Sequence, residues 1–163
     1  MSTLVVYFSQ GGHTATVATA IAARLGATAA VIEEQADRDG VLGIATGAAA
    51  ALIGHPSTIK ATDHDPAAFD LVILGTPVWV GAPAPAVTAY IDRHRDALDR
   101  VAFFCTEARS GGAQALARME RRLGHPPLAT LEVAEEALDD DALGQRLDDF
   151  LSELDETRTG SPQ

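Results

Sequence analysis

Residues 4–14 read LVVYFSQGGHT, and this stretch decides the fold. Leu4 to Phe8 is a short unbroken apolar run, rich in β-branched and aromatic residues, which reads as a strand apolar on both faces. Ser9, Gln10, Gly11 and Gly12 interrupt it. From there Val17, Ile21 and Leu25 recur four apart, the stripe of an amphipathic helix. The unit is strand, tight turn, helix.

The same alternation continues along the chain. Ala27–Ile32, Leu71–Leu74, Val101–Cys105 and Leu128–Val133 are further short strands, with Gly75 expected to stop the third. Ala86–Leu98 carries Val87, Ile91, His94 and Leu98 on one stripe, Ala113–Leu123 carries Leu116, Met119 and Leu123, and Ala142–Leu154 carries Leu143, Leu147, Phe150, Leu151 and Leu154. Strands apolar on both faces belong to a parallel sheet covered by helices on each side. Five βα units with right-handed crossovers therefore predict an α/β three-layer, doubly wound sandwich with a five-stranded parallel sheet. From Asp37 to Asp65 the glycines at 40, 43, 47 and 54 dilute any helix, and the stretch reads as a short helix over 41–53 plus a long loop. No internal repeat is visible. One domain over residues 1–155 and a flexible tail over 156–163 are expected.

Composition narrows the function. Of 163 residues 47% are apolar, enough for one real core. The net charge is -11, from 12 basic and 23 acidic side chains, which argues against a nucleic-acid partner. The surplus is local: Glu132 to Gln163 holds eleven acidic and two basic residues, leaving twelve against ten before it. Cys105 stands alone, so no internal disulfide or thiolate metal cage is expected, and no apolar run is long enough to cross a bilayer. A cytoplasmic protein without membrane insertion is the expectation.

In a doubly wound sheet, ligands bind beyond the carboxyl ends of the strands, so chemistry is expected in the loops after strands one, three and four. Ser9, Gln10, Gly11, Gly12, His13 and Thr14 make an anion cradle: glycines turn amides inward, hydroxyls donate, and the helix dipole favours negative charge. The loop lacks the Lys-Ser or Lys-Thr pair of a nucleoside-triphosphate loop and the G-x-G-x-x-G of a dinucleotide site. The next loop, Gly75 to Pro83, frames the single tryptophan, Trp79, as a wall for a flat ligand. The loop Thr106 to Gly112 has no aromatic residue. Cys105 reads as a buried small residue, because position 111 is Gly where a cysteine phosphatase needs Arg. His55, His64, His94 and His125 lack metal-ligand spacing, and no metal is assigned.

The stretches YFSQGGHT and DLVILGTPVWVGAPAPAV together resemble the flavodoxin family, in its phosphate loop and in the strand and loop beside its flavin ring. The resemblance in layout runs to about Leu154 and implies the strand order 2-1-3-4-5, with FMN at the switch point between strands one and three. It implies an FMN phosphate held by the hydroxyls of Ser9 and Thr14 and the amides of Gln10, Gly11, Gly12, His13 and Thr14. It places the ring against Thr76, Pro77, Val78, Trp79, Val80 and Gly81, and beside Thr106, Glu107, Ser110, Gly111 and Gly112. Two residues depart from the family pattern: Gly11 stands where a Thr is common, and His13 where an Asn is common. A neutral His13 donates one hydrogen bond, and a protonated one adds charge attraction. Many flavodoxins sandwich the ring with a second aromatic; its absence after strand four implies one open ring face.

Three readings follow. An FMN-binding electron carrier would dock on a basic redox partner through the acidic C-terminal part. An NAD(P)H-dependent FMN oxidoreductase would pass electrons to a small acceptor such as a quinone, and the open face suits that. An interaction module that has lost flavin would fit the two weakening changes. Arg109 is the one Lys or Arg in these loops, and it fits an acidic substrate or a cofactor phosphate. No catalytic residue is named, and the oligomeric state is left open.

Overall fold

The computed structural model describes residues 1–35, 57–138 and 141–159. Its strands are β1 (Thr3–Tyr7), β2 (Thr28–Val31), β3 (Leu71–Trp79), β4 (Ala82–Pro83), β5 (Val101–Glu107) and β6 (Thr130–Ala134). Its helices, numbered among the described residues, are α1 (His13–Leu25), α2 (Pro85–His94), α3 (Gly112–Leu123) and α4 (Asp141–Thr159). The sheet runs β2-β1-β3-β5-β6, parallel throughout, with β4 paired antiparallel to β3. Once the two-residue β4 is set aside, this is the expected order, and the fold is the flavodoxin-like three-layer sandwich.

Alternation along the strands builds both cores. Leu4, Val6, Val72, Leu74, Val101, Phe103 and Cys105 face α2 and α3, together with Val87, Ile91, Leu116 and Met119. Val5, Ile73, Ala102, Phe104 and Val133 face the other way, against Val17, Ile21, Leu147 and Phe150. Each fully buried aliphatic or Phe side chain removes from water apolar surface worth roughly 1.5–3 kcal/mol. Neither face of the sheet reaches solvent at its centre, which is why the strands are continuous apolar runs. Pro85 opens α2 with no amide to lose. An Arg122 guanidinium then ties α3 to Asp92 on α2, with Nε donating to Oδ1 at 2.7 Å.

Several boundaries differ from expectation. β3 does not stop at Gly75 but continues through Trp79. The Gly75 carbonyl is turned toward β1, where it accepts from the Phe8 amide at 3.2 Å. By alternation the nitrogen of Pro77 faces the same side, past the end of β1, where a missing N–H leaves no ladder bond unmade. Leu25 lies at the end of α1 and is exposed rather than buried. The last stripe runs on, so that Glu156–Thr159 are helical where a tail was expected. The short helix expected over 41–53, most of the long loop around it, Asp139 and the final residues 160–163 lie outside the described residues. Among the described residues no helix is long and apolar enough to cross a membrane.

Candidate functional site

The turn between β1 and α1 is organised by one hydroxyl. Ser9 Oγ accepts from the Gly12 amide at 3.1 Å and the Ala15 amide at 3.3 Å. Gly12 enters the helix at φ 91°, a left-handed conformation that suits glycine. The amides of Gln10, Gly11, His13 and Thr14 have no acceptor among the described residues. A Cβ on Gly11 or Gly12 would meet nothing within 4 Å, so the mouth of the turn is open. Free amides at a helix N-terminus are an anion site. The hydroxyl of Thr14 takes another direction: it is buried and meets Thr106 Oγ1 at 2.7 Å.

The second loop is a hairpin. Val78 pairs with Pro83 and Trp79 with Ala82, leaving Val80 and Gly81 as the two turn residues. Both have positive φ, 53° and 69°, as a type I′ turn requires. Thr76 is fully buried; its hydroxyl accepts from the Ala84 amide at 2.9 Å and donates to the Pro77 carbonyl at 2.8 Å, so it fixes the hairpin. Trp79 is half-buried and meets Phe8 edge to face, with ring centroids 5.7 Å apart at 86°. This contact ties the hairpin to the end of β1. Val80, at the tip, is 64% exposed.

The third loop closes against the second. Glu107 Oε2 accepts from the Gly112 amide at 2.8 Å, drawing residues 107–112 into a compact turn that leaves Arg109 and Ser110 exposed. A Cβ on Gly111 would stand 2.9 Å from Gly81 Cα, so the glycine at 111 lets the two loops touch. Gln114 lies under the hairpin, where a Cβ on Gly81 would strike its Oε1. No sequence pattern marked Gln114, because its role depends on where β4 folds. Cys105 is buried, and burial first, then the nearby Glu132 and Glu107, push its thiol well above the ordinary cysteine range. It stays a protonated core side chain.

The acidic C-terminal part reaches the first loop. β6 ends at Ala134, and the turn Glu135–Ala137 brings Glu135 Oε1 to 3.1 Å from His13 Nδ1. Both side chains are partly exposed. This pairing joins the first turn to the acidic C-terminal part, residues far apart in the chain that the sheet order brings to one edge.

Residues 1–139 match the family described as NADPH-dependent FMN reductase. The chain belongs to that family. The family assigns FMN as the cofactor and oxidoreduction as the class of chemistry. No curated protein matches the chain. Among solved structures it is similar to a flavoprotein in complex with FMN from Lactobacillus acidophilus NCFM, with 21% identity, 90% of this chain and 98% of that chain covered, and a TM-score of 0.68. It is also similar to a flavodoxin, WrbA-like protein from Agrobacterium tumefaciens, with 18% identity, 97% and 98% covered, and a TM-score of 0.60. A third is the NADH:FMN oxidoreductase EMOB in its apo form, with 14% identity, 98% and 89% covered, and a TM-score of 0.56. At these identities the likeness is one of fold.

In this FMN reductase family member the donors present fit a flavin phosphate. Four amides of the first turn have no acceptor among the described residues, and Ser9 keeps its hydroxyl proton to donate while its lone pairs hold Gly12 and Ala15. No Lys or Arg lies within residues 9–14. Backbone and hydroxyl donors therefore carry the recognition.

Proposed function

We propose that the protein is an NAD(P)H-dependent flavin oxidoreductase that reduces a small acceptor such as a quinone. The supporting observation is the third loop: Thr106 to Gly112 lacks an aromatic side chain, while Trp79 is already engaged with Phe8. A ring lying against Thr76 to Gly81 keeps one face without an aromatic cover from the loop after β5. A nicotinamide or a quinone needs such a face to approach within transfer distance.

In this reading, Ser9 and the amides of Gln10, Gly11, Gly12, His13 and Thr14 surround the phosphate. Pro77, Val78, Trp79, Val80 and Gly81 form the wall beside the ring. Thr76 sets the hairpin from below. Thr106, Glu107, Ser110, Gly111 and Gly112 border the other side, with Glu107 holding the loop closed. When bound, FMN supplies the two-electron chemistry, taking hydride from the reduced nicotinamide and passing electrons to the acceptor. The protein's part is position, exclusion of water behind the hairpin, and the field of its fixed amides.

Mixing the FMN-loaded protein with NADPH or NADH without oxygen tests this directly. Rapid bleaching of the flavin colour, restored on adding a quinone, is the expected result. A coloured protein that neither nucleotide bleaches is an electron carrier instead, and its acidic Glu135 and Glu136 then point to a basic protein partner. A purified protein that stays colourless and leaves added FMN fluorescent refutes both.

A further inference from the structure

Among the described residues at the carboxyl edge of the sheet, the His13 ring lies 3.1 Å from Glu135, and Lys60 is held by Glu33 at 2.7 Å. Arg109 is exposed on the third loop and has no carboxylate within ion-pair distance among the described residues. The neighbouring titratable groups on that edge are Glu107, Glu135 and Glu136, and Glu107 is occupied by the Gly112 amide. Among the described residues, an anionic molecule approaching this acidic edge meets the unclaimed guanidinium of Arg109.

Its place is also set. Arg109 lies two residues before Gly111, which touches Gly81 at the hairpin tip. The loop is short and closed by the Glu107–Gly112 bond, so Arg109 is exposed on a loop that abuts the hairpin, which in the oxidoreductase reading is the rim of the open ring face. A guanidinium presents a planar fork of donors that matches phosphate oxygens. A reduced nicotinamide dinucleotide whose ring lay over that face would have to leave its charged phosphates in solvent rather than against the apolar hairpin wall, on the side where Arg109 is exposed.

We propose that Arg109 binds a phosphate of the reduced nicotinamide dinucleotide and so sets the affinity for the electron donor. This rests on the oxidoreductase reading above. Two phosphate sources fit the same chemistry: the pyrophosphate, common to both dinucleotides, and the ribose 2′-phosphate of NADPH alone.

The test compares FMN-loaded wild type with Arg109→Gln and Arg109→Lys, and with Arg121→Gln as an equal charge change on the exposed end of α3. Losing one charge-assisted contact at an exposed site is expected to raise KM by about tenfold, with kcat changed far less. Arg109→Lys recovers part of the loss, and Arg121→Gln shows none of it. A shift for NADPH alone assigns the 2′-phosphate; an equal shift for NADH assigns the pyrophosphate. An unchanged KM for both, or an equal shift in Arg121→Gln, overturns the proposal while leaving the oxidoreductase reading standing. Binding of NADP⁺ to the loaded protein, followed by calorimetry, gives a readout without turnover. A wild type that binds NADP⁺ but is never bleached by NADPH refutes the oxidoreductase reading, and the same affinity in Arg109→Gln then refutes this one as well.

Discussion

Thr14 Oγ1 and Thr106 Oγ1 lie 2.7 Å apart, both buried, and this contact joins the start of α1 to the end of β5. It fixes the first turn relative to the third loop from beneath the site. Replacing Thr106 with Val leaves the Thr14 hydroxyl buried without its partner, which costs about 1–3 kcal/mol. Urea denaturation is expected to show that loss, and to show a smaller additional loss when Thr14→Val is combined with it. Strictly additive losses would mean that the two hydroxyls do not act as a pair.

Gly75 and Phe104 make a tighter demand. A Cβ on Gly75 would collide with the far end of the Phe104 ring, across the β3–β5 pairing that sets these residues side by side. Gly75→Ala is expected to destabilise by about 3 kcal/mol through overpacking. Phe104→Leu in the same chain should restore part of that stability, since it makes the missing room. If the double variant is the less stable of the two, the clash is not the cause.

Much of this is legible in the sequence. The apolar runs from Leu4, Leu71 and Val101 read as doubly buried strands because both faces are covered, and burial leaves a continuous mark. The open amides of the first turn followed from Gly11 and Gly12 before a helix stripe. The length of β3 did not, because Gly75 and Pro77 are ordinary strand breakers. What rescues them is tertiary: Phe104 fills the space over Gly75, and β1 ends before Pro77 would need its N–H. The Thr14–Thr106 and His13–Glu135 contacts were likewise invisible, since each joins residues from different βα units. Local patterning reports burial, and it carries little about which polar partners the sheet order brings together.

Val80 occupies a left-handed conformation at φ 53°, unfavourable for a β-branched residue, and its side chain is 64% exposed. Little packing compensates the strain. Val80→Asn keeps a residue that tolerates this geometry, and is expected to raise stability by about 1 kcal/mol. Thermal unfolding of the flavin-free protein measures this. A lowered Tm would show that the valine side chain makes a contact worth more than the strain.

His94 links stability to pH. Its ring lies against Tyr90 with centroids 4.5 Å apart, and its Nε2 is buried without a partner among the described residues. Burial first, then the Arg93 charge, depress its proton affinity, against a weaker opposite pull from Asp65. Well above the ordinary histidine value of 6.5 the ring is neutral in both states and adds no pH dependence. As the pH falls below it, the unfolded chain takes up a proton that the fold resists, and stability is lost. His94→Phe is therefore expected to flatten the stability curve between about pH 7 and pH 5. A curve parallel to that of the wild type would place the acid sensitivity elsewhere.

The last prediction concerns the edge where acid meets phosphate. Glu135 stands 3.1 Å from His13, and His13 begins the helix whose amides are proposed to hold the FMN phosphate. Two anions then compete for one imidazole. A unit charge repels another by about 1 kcal/mol at a few ångströms in water, and a phosphate dianion feels about twice that. Glu135→Gln removes the repulsion and releases His13 to the phosphate, so FMN is expected to bind roughly threefold to tenfold more tightly, with the gain shrinking as salt is added. Riboflavin, which has no phosphate, should bind both proteins equally. His13→Asn in the Glu135→Gln background should cancel most of the gain. Weaker FMN binding in Glu135→Gln would reverse the assignment: the carboxylate would then be holding His13 in place for the phosphate rather than drawing it away.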